Sequence, residues 1–254
     1  MTLALGVALG VTILVLAIVA WRATRESKLL LRRLEAAATE LENLQMAFSR
    51  FAPNEVIERI IAEGVTDFGE KKEVTVLFAD LVGFTALSEN LEPSVLVGVL
   101  NGYFERMSRA IGDQRGYVST FIGDGLLAFF GATDPNPWQG NDAVHAALAM
   151  RAALADYNRE LTKRGLPELG IGIGLHRGTG VVGLVGSQQL KEFAFVGRAV
   201  NVAARVQGLT RNFAVDIILT ETLKQTIDPR FATRALPDTA VKGVEKPLAI
   251  HALD

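Results

Sequence analysis

The chain of 254 residues contains no cysteine, which excludes a disulfide framework, a thiolate metal site and a cysteine nucleophile. That absence suits a reducing compartment. Charge of either sign is not in excess: 26 Lys and Arg stand against 28 Asp and Glu, a formal net charge of -2. No electrostatic footprint for nucleic acid follows from such a balance. Internal repeats and low-complexity tracts are missing as well. The glycines at 170, 172 and 174 are followed by no Lys-Ser/Thr pair, so they form no phosphate loop of that kind and instead permit tight strand packing. Nearly half the residues are apolar, and the length suits one globular domain with a modest extension.

Basic residues are also absent between Met1 and the apolar run Leu3 to Trp21. A cleaved signal peptide would carry them there, with a small-x-small site after the run. The run has about the length that spans a hydrocarbon core. Arg22, Arg25, Lys28, Arg32 and Arg33 crowd its C-terminal side, and positive charge stays on the cytoplasmic face. Residues 1–21 are therefore expected to be a transmembrane helix, single-pass in the inner or plasma membrane, with everything after it cytoplasmic and the membrane itself as a partner. From 22 to 50, Ser27, Leu30, Leu34, Ala37, Leu41, Leu44 and Phe48 alternate spacings of three and four, the seam of a short coiled coil. An amphipathic helix packed on the body of the protein is the competing reading. At ~1.5 Å per residue the helix would hold the next domain roughly 40 Å from the bilayer.

The remainder, 51–254, reads as the globular domain. Expected elements are a strand 73–79, a helix about 92–112, a hairpin 116–123 and 125–130, and a helix of about 140–164. Strands 169–176 and 180–185 follow, then a helix 198–208, a strand 215–219, a short helix 220–226 and terminal strands around 230–250. The order β-α-β-β-α-β makes this an α+β fold with a ferredoxin-like core and extra C-terminal strands.

Two acids stand out within that order. Asp80 closes the apolar run Val74-Thr75-Val76-Leu77-Phe78-Ala79, and Asp124 follows Phe121-Ile122-Gly123 at a turn. An acid at the end of a buried strand is costly unless something compensates it. Two carboxylates converging from neighbouring strands supply hard oxygen ligands for Mg²⁺ or Mn²⁺, with the carbonyl of Leu81 as a third. After Asp80, the amides of Val82, Gly83, Phe84 and Thr85 are expected to open a helix and cradle phosphate. Asn201 and Arg205, four apart on an expected helix, share one face.

Taken together, Val74-Thr75-Val76-Leu77-Phe78-Ala79-Asp80-Leu81-Val82-Gly83-Phe84-Thr85, Gly123-Asp124-Gly125 and Asn201-Val202-Ala203-Ala204-Arg205 resemble the class III nucleotide cyclase catalytic domain. The resemblance runs from about Phe48 to the C-terminus, about four-fifths of the chain. It implies a head-to-tail homodimer with composite active sites. Asp80 and Asp124 of one subunit bind two divalent ions per site, while Asn201 orients the ribose and Arg205 stabilises the transition state from the other. Lys242 matches the position that contacts the terminal phosphates. The implied reaction is attack of a nucleoside triphosphate's 3′-hydroxyl on its own α-phosphate.

The match breaks at the purine. Adenylate cyclases of the family carry a lysine where this chain has Thr120, and Asp or Thr where it has Ala194. Guanylate cyclases carry Glu and Cys there. Thr120 has one hydroxyl to offer and Ala194 nothing. ATP is the expected substrate because most bacterial relatives use it. Guanylate or purine-unselective cyclisation, and a non-catalytic nucleotide-binding dimerising module, remain as alternatives.

Overall fold

The computed structural model describes residues 21–22, 25, 28, 31–41, 57–58, 69–133, 136–187, 191–240 and 247–254, the side chains of 85, 86 and 191 excepted. The chain divides into two compact units, Met1–Glu58 and Arg59–Asp254.

In the first unit, residues 31–41 are helical and exposed throughout. Leu34 and Leu41, two of the expected seam residues, are 67% and 48% exposed, so the chain by itself buries no coiled-coil seam at these positions. The single-pass membrane expectation is corrected. Among the described residues no helix is long and apolar enough to cross a membrane. The apolar run on which that expectation rested lies outside the described residues except for Trp21.

The second unit is built on β1 (Gly69–Val82), α1 (Phe84–Asn90), α2 (Pro93–Gly112), β2 (Tyr117–Ile122), β3 (Gly125–Phe130), α3 (Gln139–Lys163) and β4 (Gly170–Gly186). There follow β5 (Lys191–Val196), α4 (Arg198–Phe213), β6 (Ile217–Thr220), α5 (Glu221–Lys224), β7 (Thr233–Thr239) and β8 (Leu248–Leu253). The sheet order is β2-β3-β1-β4-β6-β8-β7, with β5 paired to β4. Its first four strands have the order expected of a βαββαβ core, and β6, β8 and β7 extend it.

Local chemistry accounts for these elements. Pro93 sits in the first turn of α2, where its missing N–H costs nothing. Val99, Tyr103, Met107 and Ile111 recur along one stripe of that helix, and all four are buried. Along β1 the side chains alternate: Leu77, Ala79 and Leu81 join Tyr103, Met107, Met150 and Leu154 in the larger core. Asp80, between two of them, belongs to the opposite face, the one that α4 covers.

The close approach of α4 depends on glycine. A Cβ on Gly174 would lie 2.3 Å from the Gln207 amide nitrogen and 2.4 Å from the Ala203 carbonyl oxygen. Both obstacles are backbone atoms that cannot swing aside. The expectation of tight packing at the strand glycines is borne out here.

Two expectations change. The strands expected at 169–176 and 180–185 are one continuous β4, because β1 pairs with it without a break from Gly69↔Gly183 to Val82↔Gly170. The His176-Arg177-Gly178 segment looks like a turn in sequence but is held straight by a neighbouring strand of nearly equal length. The helix expected after Asp80 is present but short, and Val82 is still in the strand. Only from Phe84 onward are the residues helical.

Candidate active site

Asp80 lies two residues before the end of β1, opposite Gly172 of β4, while its neighbour Ala79 pairs with Leu126 of β3. Asp124 occupies the two-residue turn between β2 and β3, next to Gly125. The tightness of this corner shows at Gly125, where a Cβ would meet the Ala79 carbonyl oxygen at 3.0 Å and Asp80 Oδ1 at 3.2 Å. Antiparallel pairing of β1 with β3 therefore brings the Asp124 turn over the end of β1, and the two carboxyl groups come within hydrogen-bonding reach of each other.

The electrostatics follow from that meeting. Burial raises the Asp80 pKa first, and the adjacent Asp124 raises it further by repulsion and by sharing a hydrogen bond. The Arg211 guanidinium opposes both. Its Nη2 donates to Asp80 Oδ2 at 3.3 Å and to the Leu81 carbonyl oxygen at 3.2 Å. Behind the acids stands Tyr103, wholly buried, whose hydroxyl has no hydrogen-bond partner among the described residues. Burial, with Asp80 and Asp124, pushes its ionisation well above the ordinary range, so it stays a neutral donor.

This donor set fits a divalent cation. Two carboxylates and the Leu81 carbonyl are hard oxygen ligands, and the repulsion between the acids is the kind a cation relieves. A cluster of three or more His, Cys, Asp or Glu side chains is absent among the described residues. Any ion held here would thus depend on the acid pair, backbone oxygen, water and substrate.

Beside the acids, Gly83 caps α1 with φ 76, a left-handed conformation in which a side chain would be strained. The space around its Cα is open. Gly83 alone thus links the end of β1 at Val82 to the start of α1 at Phe84. The side chain of Thr85 and the whole of Lys242 lie outside the described residues.

Asn201 and Arg205 are both on α4, exposed and half-buried respectively. Among the described residues neither bonds to Asp80; the α4 residue that does is Arg211. Arg205 precedes it by six residues, about 9 Å along the axis and about 120° around it at 3.6 residues per turn. Sequence reasoning missed Arg211, since a basic residue in the last turn of a helix is ordinary. It missed Tyr103 too, which reads in the chain as one more core aromatic.

Thr120 lies on β2 beside a register shift between Val118 and Thr120. Its hydroxyl bonds weakly to the Phe121 carbonyl oxygen at 3.4 Å. Ala194 lies on β5 opposite Gly183. The Tyr117 and Phe193 rings, 5.6 Å apart, join β2 to β5. The histidines stand elsewhere. His176 Nδ1 is 2.9 Å from Thr220 Oγ1, and His145 meets the Phe231 ring edge-on at 4.9 Å.

This corner of paired acids on a ferredoxin-like sheet has counterparts. The sequence profile of the adenylate and guanylate cyclase catalytic domain matches residues 67–254. The chain belongs to that family. An adenylate cyclase of Anabaena cylindrica is 34% identical over 231 residues, which is 86% of this chain and 45% of that protein. Adenylate cyclase 1 of Rhizobium meliloti is 28% identical over 222 residues, 86% of this chain and 33% of that one. The chain thus spans less than half the length of these two relatives.

Solved structures agree with the cyclase fold. An adenylyl cyclase of P. aeruginosa superposes with a TM-score of 0.69 at 28% identity, covering 74% of this chain and 96% of that one. The guanylyl cyclase Cya2 superposes with a TM-score of 0.64 at 31% identity, covering 73% and 93%. Similarity of this order to both kinds of cyclase leaves the purine to the residues that line its place.

Proposed function

We propose that this chain is a homodimeric adenylate cyclase that converts ATP to 3′,5′-cyclic AMP and pyrophosphate, with two Mg²⁺ or Mn²⁺ ions in each composite site. The observation that carries the reading is the convergence of Asp80 and Asp124, with the Leu81 carbonyl, at one corner of a cyclase catalytic domain. In the reaction the 3′-oxygen forms a bond to the α-phosphorus, the bond from that phosphorus to the pyrophosphate oxygen breaks, and the hydroxyl proton leaves to solvent. Divalent ions at the acid pair would supply a lower pKa for that hydroxyl and neutralise the triphosphate.

The chain's own groups do the rest. Asp80, Asp124 and Leu81 would hold the cations, and the Val82-Gly83-Phe84-Thr85 segment lies against the phosphates, with open space at Gly83. Arg205 from a second copy offers a fixed, permanently charged donor to the reacting phosphorus, with Asn201 beside it on the ribose. The offset of Arg205 from Arg211 along α4 supports a second copy as its source. Lys242 is assigned to the terminal phosphates. The exposed leucines of residues 31–41 suit helix pairing in the same dimer.

A second reading keeps the chemistry and changes the base. Ala194 offers no polar side chain, and among the described residues the Thr120 hydroxyl is engaged only with its own strand, which supports guanine or relaxed purine preference. A non-catalytic nucleotide-binding module is disfavoured by the retention of both acids and Arg205. Incubating the purified full chain with Mn²⁺ and either ATP or GTP, and measuring each cyclic product, tests all three. Cyclic AMP formation with specific activity rising with protein concentration is the expected result. Absence of either cyclic product at high protein and metal concentration would refute catalysis.

A further inference from the structure

Arg211 occupies a place that the proposed reaction leaves without a task. Its Nη2 donates to Asp80 Oδ2 and to the Leu81 carbonyl oxygen, and so engages two of the three groups assigned above to a cation. The contacts are 3.3 and 3.2 Å, longer than the ~2.7–2.9 Å of a firm charge-assisted hydrogen bond. Both partners also meet solvent, with the Arg211 side chain 54% and that of Asp80 27% exposed. The pair is therefore loose, screened and open to exchange.

We propose that Arg211 is a built-in counter-ion of the acid pair, which holds Asp80 and Leu81 in the metal-free protein, is displaced when a divalent cation enters, and so sets the affinity of the site for metal. The inference rests on the metal-binding role given to Asp80 above. Two acids this close favour some positive charge between them, and Arg211 is the cation that contacts Asp80 here. A guanidinium and a divalent ion cannot share the same oxygens at ligand distance, so their binding is competitive.

A place for the displaced side chain exists. Arg211 lines an open cleft of about 600 Å³ together with Arg151, Asn158 and Asp216. The Asp216 carboxylate is only loosely engaged there, 3.6 Å from Arg151. Ala214, in the left-handed conformation (φ 51), closes α4 three residues after Arg211, and its amide bonds back to the Thr210 carbonyl. With that helix end pinned, exchange needs only rotation of the Arg211 side chain.

The experiment is a titration of the nucleotide-free full chain with Mn²⁺ alone, free ion being followed by electron paramagnetic resonance, for wild type, Arg211→Gln, Arg211→Lys and Asp80→Asn. Melting temperatures recorded alongside confirm folding. Arg211→Gln should bind Mn²⁺ about fivefold more tightly than wild type, the size of a solvent-screened ion pair. Arg211→Lys, which keeps the charge on a shorter side chain with a compact ammonium, should fall between, and Asp80→Asn should lose binding. Equal or weaker binding by Arg211→Gln, with wild type still binding and Asp80→Asn not, overturns the counter-ion role and leaves the metal site standing. Failure of both wild type and Arg211→Gln to bind Mn²⁺ overturns the site and the proposal together.

Discussion

Arg211 Nη2 donates to Asp80 Oδ2 across 131 residues of sequence, at 3.3 Å, so the last full turn of α4 is tied to the end of β1 at the acid pair. That tie places positive charge beside the acids within one chain, while Asn201 and Arg205 sit farther back along the same helix.

If Arg205 acts on the acids of a second chain, two defective variants should rescue each other. Asp80→Ala and Arg205→Ala, each inactive or reduced by roughly 10²–10³-fold alone, regain activity when mixed, because half the dimers carry one intact site. Random pairing predicts about a quarter of wild-type activity in a symmetric dimer. Steady-state cyclic nucleotide assays of the mixture check it; no recovery after subunit exchange would place Arg205 on its own chain's acids.

Thermal stability should report cation binding without turnover. Mn²⁺ should raise the melting temperature of wild type through preferential binding to the folded state, and leave Asp80→Asn unmoved. An equal rise in both would place the bound ion elsewhere.

Purine choice should respond to the two positions that depart from the family pattern. Thr120→Lys with Ala194→Asp should raise the ratio of kcat/KM for ATP over GTP by about tenfold or more, since polar recognition of a base edge discriminates strongly. An unchanged ratio would move base selection away from β2 and β5.

Packing of α4 on β4 should tolerate no side chain at Gly174. Its Cβ would sit 2.3 Å from backbone nitrogen, so Gly174→Ala should cost about 3 kcal/mol or more, the upper range for overpacking. Gly98→Ala serves as a control, with nothing within 4 Å of its added carbon. As a helix-interior change in α2 it should stabilise by about 0.5–1 kcal/mol. Urea unfolding of both variants makes the comparison.

His176 gives the domain an acid-sensitive point. Burial, and then the nearby charge of Arg198, lower its pKa to about 4 from the ordinary 6.5. The unfolded chain therefore binds a proton that the folded one refuses between those values, and stability falls as pH drops from 6.5 towards 4. His176→Gln should flatten the pH dependence of the urea midpoint over that window. A slope identical to wild type would show that His176 does not govern it.

The ferredoxin-like order was legible from the succession of strand and helix patterns, which are local properties of a chain, and the family from the resemblance carried by residues 74–85, 123–125 and 201–205. The single β4 was not legible, since what keeps residues 176–178 extended is pairing with β1, a hundred residues distant. The membrane reading rested on the apolar run and the basic residues that follow it, and no spanning helix is present among the described residues.

Sequence by itself determined which chemistry the chain can present: hard oxygen ligands at 80 and 124, a permanent cation at 205, and no thiolate anywhere. Tertiary structure decided how those groups meet. Only the β1–β3 register carries the Asp124 turn to Asp80, and only the glycine-permitted closeness of α4 to β4 brings Arg211 to the same oxygens. Both are contacts between segments far apart in the chain, and their geometry depends on packed backbones rather than on any neighbouring residue type.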